Sequence, residues 1–148
     1  MIIYKYLFSR FILGLIVSLT VLVSIEIFFS FTAELKNLNV GNYNMLVITK
    51  YVILNIPKSL EIMFPYAVLI GSMLSLGAMS SDMEFVSMQS AGISISKIII
   101  IILTQAFLLS SIFYYATDSL VPKYSNKAEM KKNFALNKKL IFNKNGVW

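Results

Sequence analysis

Two carboxylates, Asp82 and Glu84, lie in a short polar break between two long apolar segments. Ser81 stands three residues before Glu84, the capping-box spacing in which each side chain bonds the backbone N–H of the other residue. Both acids would then lie in the first turn of a helix, where the helix dipole stabilises negative charge. Gly92 is a residue type at which helices commonly end. The pattern therefore predicts a short acidic helix over residues 82–91.

Two faces of this predicted helix carry apolar side chains. One face is formed by Met83, Val86 and Ser90, and the other by Phe85, Met88 and Gln89. The helix could simply lie at the membrane interface and reverse the direction of the chain. Alternatively, its apolar side chains could fill a groove on a soluble partner, with Glu84 paired to an arginine of that partner. The spacing of the residues leaves both interpretations open.

Residues for catalysis or metal binding are scarce. The chain has no cysteine and no histidine, which excludes disulfides, thiol nucleophiles, most zinc sites and the usual general base. The remaining acids and hydroxyls form no recognisable triad or metal cluster, so we expect no enzyme activity, no cofactor and no metal. Glu26 lies inside the first apolar segment. An acid there is either a functional group or a side chain that faces a protein cavity or a partner helix.

The composition predicts a membrane protein. Hydrophobic residues make up 57% of the 148 residues and charged residues only 14%, too few to cover a soluble domain of this size. Apolar segments at about residues 11–33, 45–79 and 97–117 are long enough to span the ~30 Å hydrocarbon core at ~1.5 Å per helical residue. We therefore predict an all-α membrane protein with three transmembrane helices within residues 1–117.

The second apolar segment is too long for one straight crossing. We place the crossing at residues 62–79 and the half before it at the membrane surface. Pro57 and Pro65 are expected to kink or end the helix. Small residues in the crossing would permit close contact with a neighbouring helix. They are Gly71, Ser75, Gly77 and Ala78.

Residues 118–148 differ from the rest of the chain because they are basic. They hold seven of the thirteen lysines and arginines, and we expect a polar helix outside the bilayer. An Asn-Gly turn signal at Asn145 and Gly146 indicates that the last residues open a β structure.

Charge and topology then conflict. Three crossings place Lys5, Arg10 and Lys97 on one side of the membrane and the other ten basic residues on the opposite side. The positive-inside rule alone would put the basic end in the cytoplasm and the acidic helix outside.

The segment PKSLEIMFPYAVLIGSMLSLGAMSSDMEFVSMQSAGIS, residues 57–94, resembles the LptF/LptG permeases of bacterial lipopolysaccharide export, and the LptG members more closely. The resemblance rests on a Pro-Lys pair, an aromatic-Pro pair, a helix of small residues and an acidic loop followed by Met-Gln and Gly. The stretch ELKNLNVGNY after the first helix and the closing GVW add to it.

This resemblance implies a fold and a set of partners. Family members have six transmembrane helices with a periplasmic β-jellyroll between the third and fourth, so this chain would be the N-terminal half of a truncated or split permease. The loop between the second and third helices would be a coupling helix in the cytoplasm, against the lysine count. The implied partners are a cytoplasmic LptB-like ABC ATPase dimer, a second, LptF-like permease, a periplasmic LptC-like protein and lipopolysaccharide in the inner membrane, with no nucleic acid.

The resemblance also implies site residues. Those that couple to the ATPase are Asp82, Met83, Glu84, Val86, Met88, Gln89 and Gly92. Lys36 and Lys58 match lysines near the lateral gate that hold the phosphates of lipid A. Ser30 and Asn37 stand where further lysines are expected, and Lys50 could substitute for them.

Two other functions compete with a permease subunit. The chain could be a membrane anchor or assembly module that transports nothing and whose basic tail binds anionic lipid headgroups from the cytoplasmic side. A membrane enzyme would have to use acids such as Glu26 or Asp118, and the lack of histidine and cysteine counts against it. The sequence contains no Walker motif, so ATP chemistry has to come from a partner.

Overall fold

The computed structural model describes residues 2–38, 43–135, 142–143 and 146–147. In this part of the chain, the helices are α1 (Ile2–Leu35), α2 (Met45–Ser81), α3 (Glu84–Ser90) and α4 (Ile95–Ala135). They are followed by strands β1 (Phe142–Asn143) and β2 (Gly146–Val147), which pair antiparallel with Phe142 opposite Val147. The predicted β structure at this end of the chain is therefore present as a hairpin. Asn145 of the predicted turn lies outside the described residues.

Within the described ranges, three helices are long and apolar enough to cross a membrane. The candidate spans are Ile3–Leu35, Met45–Ser81 and Ile95–Asp118, which confirms the predicted all-α class of membrane protein. Helix α1 begins earlier than predicted because its first turns are also apolar. Leu7 of these turns is completely buried.

Prolines do not divide the long helices. Helix α2 continues through Pro57 and Pro65, and α4 continues through Pro122. The basic segment that we predicted as a separate helix is therefore an extension of α4 as far as Ala135. A proline removes one helical hydrogen bond, and the helix persists because the turns on both sides keep theirs.

The described residues group into two units. The first unit draws on Met1–Leu22 and Met63–Phe113. Its largest fully buried side chains are Leu7, Phe11, Met79, Ile98 and Ile102. The rings of Phe64 and Phe113 stack with their centroids 3.7 Å apart, which adds specific aromatic geometry to the burial of apolar area.

Glycines let α1 and α2 approach closely in the first unit. A Cβ on Gly14 would lie 2.5 Å from the carbonyl oxygen of Gly71 and 3.2 Å from the Cβ of Ser75. Nearby, the Ser18 hydroxyl donates a hydrogen bond of 2.8 Å to the carbonyl oxygen of Ala67. The prediction of a close contact is confirmed for Gly71 and Ser75. It is wrong for Gly77, because a Cβ added there would meet no neighbouring atom of the described residues within 4 Å.

The second unit draws on Val23–Ile62 and Tyr114–Trp148. Its buried core consists of Tyr43, Ile48 and Val52, and apolar side chains of α1 and the end of α4 pack against it. The Asn44 side chain accepts a hydrogen bond of 3.1 Å from the backbone N–H of Val47 and so caps the start of α2.

Candidate functional site

Helix α3 begins at Glu84, two residues later than predicted. Met83 precedes it in a left-handed conformation, with φ of 56°, and no side chain caps the helix. The predicted capping box between Ser81 and Glu84 is therefore wrong. Ser81 is the last residue of α2, and a helical residue cannot adopt the extended backbone that an N-cap requires.

The carboxylate of Glu84 is bound by two side chains of α1. Arg10 forms an ion pair with Glu84 Oε1, and the Tyr6 hydroxyl donates a hydrogen bond to the same oxygen. Arg10 Nε donates to the Tyr6 hydroxyl at 2.8 Å, and Arg10 Nη2 lies 3.5 Å from Asp82 Oδ2. The Arg10 guanidinium carbon is also 5.4 Å from the centre of the Tyr6 ring. Arg10 thus joins both acids of the loop to α1.

The two acids differ in their access to solvent. The Glu84 side chain is 17% exposed, whereas that of Asp82 is 55% exposed. Glu84 Oε2 is buried and accepts no hydrogen bond from the residues that the structure describes. We expected Glu84 to pair with an arginine of a partner, and the structure shows that it already pairs with Arg10 of its own chain.

The faces of α3 have different surroundings. Phe85 and Met88 pack against the buried core of the first unit, so Met88, a predicted coupling residue, points inward. Met83 is 66% exposed and Val86 is 55% exposed, and Gln89 is also exposed. The outward face therefore presents two apolar side chains that are more than half exposed.

The end of α3 is closed by hydrogen bonds. Gly92 has φ of 83°, and its N–H donates to the carbonyl oxygen of Gln89 at 2.8 Å. The N–H of Ile93 donates to the carbonyl oxygen of Met88 at 3.0 Å. This is a Schellman motif, in which the left-handed position favours glycine. The predicted end at Gly92 is confirmed.

The three predicted substrate lysines are solvent-accessible. Lys36 lies in the turn after α1, and Lys50 and Lys58 lie on α2. None of them forms an ion pair with another described residue. Lys50 lines a groove of about 420 Å³ in the second unit. The other lining residues are Val47, Lys131, Phe134 and Ala135.

A partly buried ionic cluster in the second unit was missed by sequence reasoning. Lys132 Nζ pairs with Glu34 Oε1, and the Tyr43 hydroxyl donates to Glu34 Oε2 at 2.9 Å. Asn37 donates to the same oxygen at 3.3 Å, and the Lys132 ammonium lies 4.7 Å from the centre of the Tyr51 ring. Burial raises the pKa of Tyr43, and its hydrogen bond to Glu34 raises it further, so the hydroxyl stays protonated.

Glu26 remains a polar group within a membrane-capable helix. It is half-buried, and its Oε2 atom is buried without a hydrogen-bond partner among the described residues. A buried acceptor of this kind is usually paired. The observation agrees with both predicted roles of Glu26, a functional group or a side chain that faces a partner helix.

Known proteins resemble nearly the whole chain. The family model described as "Lipopolysaccharide export system permease LptF/LptG" matches residues 5–148. The chain is 30% identical over 145 residues to the lipopolysaccharide export system permease protein LptG of Haemophilus influenzae, and 26% identical to the protein of that name from Escherichia coli K12. Each alignment covers 97% of this chain and 40% of the relative, so the chain spans well under half the length of these relatives. The chain belongs to the LptF/LptG family of lipopolysaccharide export system permeases.

Proposed function

We propose that this chain is part of a non-catalytic permease subunit that takes part in lipopolysaccharide export from the bacterial inner membrane, driven by a separate cytoplasmic ABC ATPase. Family membership and three membrane-capable helices support the permease assignment. Coupling to the ATPase is supported by the position and exposure of helix α3. It joins two membrane-capable helices, is bound to α1 through Glu84 at its start, ends in a Schellman motif, and exposes Met83 and Val86.

Helix α3 is proposed to dock on the ATPase through its outward face. Met83 and Val86 would enter an apolar groove of the ATPase, as an amphipathic helix does when it binds a partner. Phe85 and Met88 would hold the inward face on the first unit during this contact. Docking and release of the ATPase would then act directly on the packed membrane helices.

The topology of the chain and its partners follow from the same proposal. Residues 1–117 are the transmembrane domain, with α3 in the cytoplasm, and residues 118–148 lead to a periplasmic β domain that begins with the hairpin. The partners are an LptB-like ATPase dimer, a second, LptF-like permease and a periplasmic LptC-like protein. A membrane anchor with a basic cytoplasmic tail is the competing function, and it requires the opposite orientation.

Topology separates these two functions. Alkaline phosphatase fused after Trp148 is expected to be active, because the enzyme folds only in the periplasm, where its disulfides form. The same reporter inserted after Gly92 is expected to be inactive. An inactive fusion at Trp148 together with an active one at Gly92 would show the opposite orientation in the membrane and would favour the membrane anchor.

Lys36, Lys50 and Lys58 are proposed to bind the phosphates of lipid A, since none is neutralised by a described acid. Combined Lys36→Ala and Lys58→Ala substitutions should lower photocrosslinking to lipopolysaccharide by roughly fivefold, the effect of removing two exposed charge contacts. Lys97→Ala is the matched control, because Lys97 is also exposed but lies at the start of α4. Equal crosslinking of the double variant and the unmodified protein would contradict the role of both lysines.

A further inference from the structure

The first turn of α3 is joined to the end of α2 by backbone hydrogen bonds, from the N–H of Asp82 to the oxygen of Ala78 and from the N–H of Met83 to the oxygen of Ser80. No side chain caps it, and Met83 precedes it in a left-handed conformation. The packing of Phe85 and Met88 against the core is apolar and therefore non-directional. The directional contacts between this turn and α1 are the hydrogen bonds that Tyr6 and Arg10 donate to Glu84.

Hydrogen bonds to water would substitute poorly for the bonds that Arg10 and Tyr6 make to Glu84. Hydrogen bonds to an ionised group are about twice as strong as neutral ones. The Glu84 side chain is 17% exposed, so loss of Arg10 would leave a charge that solvent reaches poorly. Removing one member of such a pair costs more than the pair contributes, because the other charge stays unpaired.

We propose that Arg10, supported by Tyr6, tethers α3 to the N-terminal part of α1, so that a displacement of α3 by a docked ATPase moves α1. This proposal rests on the proposed function. The tether uses Glu84 Oε1, since Oε2 accepts no hydrogen bond from the residues that the structure describes.

The tether can be measured in the chain itself. Because the protein contains no cysteine, spin labels can be attached at Ser9→Cys on α1 and Ser87→Cys on α3, both exposed positions. Arg10→Ala is expected to broaden the distance distribution between the labels about twofold, because the unpaired carboxylate moves toward water. Lys5→Ala, which removes an exposed charge from the same helix, should leave the distribution unchanged.

A charge exchange distinguishes a tether from a general loss of structure. Arg10→Glu combined with Glu84→Arg is expected to restore the narrow distribution, since the ion pair re-forms with its charges reversed. A distribution that is equally narrow with and without Arg10 would overturn the proposal. A broad distribution in the exchanged protein would also overturn it.

The consequence for coupling is then measured in the complex with the ATPase. Arg10→Ala should change the amount of co-purified ATPase by less than about twofold relative to the unmodified protein. It should lower the lipopolysaccharide moved per ATP hydrolysed by about tenfold, which is the scale of one lost partly buried ion pair. Arg10→Lys, which keeps the positive charge and leaves Glu84 unchanged, should recover part of the transport. If Arg10→Ala moves as much lipopolysaccharide per ATP hydrolysed as the unmodified protein, the proposal that Arg10 transmits the displacement of α3 to α1 is overturned. Failure of the unmodified chain to bind the ATPase would instead contradict the proposed function, while the distance measurement would still decide whether the tether exists.

Discussion

Gly71→Ala is expected to destabilise the first unit by about 2–3 kcal/mol, the upper part of the range for an overpacked core. The added Cβ would lie 2.7 Å from the Cα and 2.8 Å from the backbone nitrogen of Leu15. A flexible side chain could move aside, but here the obstacle is the backbone of α1. The two helices would therefore have to separate, and contacts such as the hydrogen bond from Ser18 to Ala67 would weaken.

Gly77→Ala is the matched control for this substitution. It makes the same chemical change on the same helix, but a Cβ at Gly77 meets no atom within 4 Å. Because alanine favours a helix over glycine by up to about 1 kcal/mol, this variant should be as stable as the unmodified protein or more stable. Both variants can be compared by the free energy of unfolding in mixed detergent and dodecyl sulfate micelles. Equal free energies for Gly71→Ala and Gly77→Ala would show that the close approach of α1 and α2 is wrong.

The second large effect is expected at the outward face of α3. Combined Met83→Ser and Val86→Ser substitutions should reduce co-purification of the ATPase at least tenfold, because burial of each apolar side chain contributes about 1.5–3 kcal/mol. The inward face would be unaffected, so α3 should keep its place on the first unit. Ile95→Ser is the control, since it removes an apolar side chain, 43% exposed, just beyond α3. Retention of the ATPase by the double variant would rule out this face as the docking surface.

Local patterns were sufficient to predict much of the architecture. Long apolar segments indicated the three membrane-capable helices, and Gly92 marked the end of α3. The spacing within α3 separated Met83 and Val86 from Phe85 and Met88, although it did not show which pair faces the core. These features depend on neighbouring residues, so periodicity and turn chemistry reveal them.

Contacts between distant residues could not be predicted in this way. Arg10 and Glu84 are separated by 74 positions, and Glu34 and Lys132 by 98. Their pairing depends on how the helices pack, for which a single sequence carries no local signal. The same limit explains the error at Gly77, because small residues indicate a possible contact but not the side of the helix that makes it.

The capping box failed for a related reason. Its spacing at Ser81 and Glu84 is correct, but α2 continues through Ser81. Arg10 and Tyr6 of α1 then bind the carboxylate that the pattern had assigned to a cap. A tertiary ion pair has thus replaced a local bond, and the acid became an anchor for α3.

Photocrosslinking from position 83 tests the docking of α3 most directly. A benzophenone side chain at Met83, introduced in the assembled complex in membranes, is expected to form an adduct with the ATPase on irradiation. The same probe at Phe107 of α4, which is 72% exposed on a membrane-capable helix, should not. An adduct at position 83 and none at position 107 is the predicted result. The absence of an ATPase adduct at position 83, in a complex that still contains the ATPase, would contradict the account.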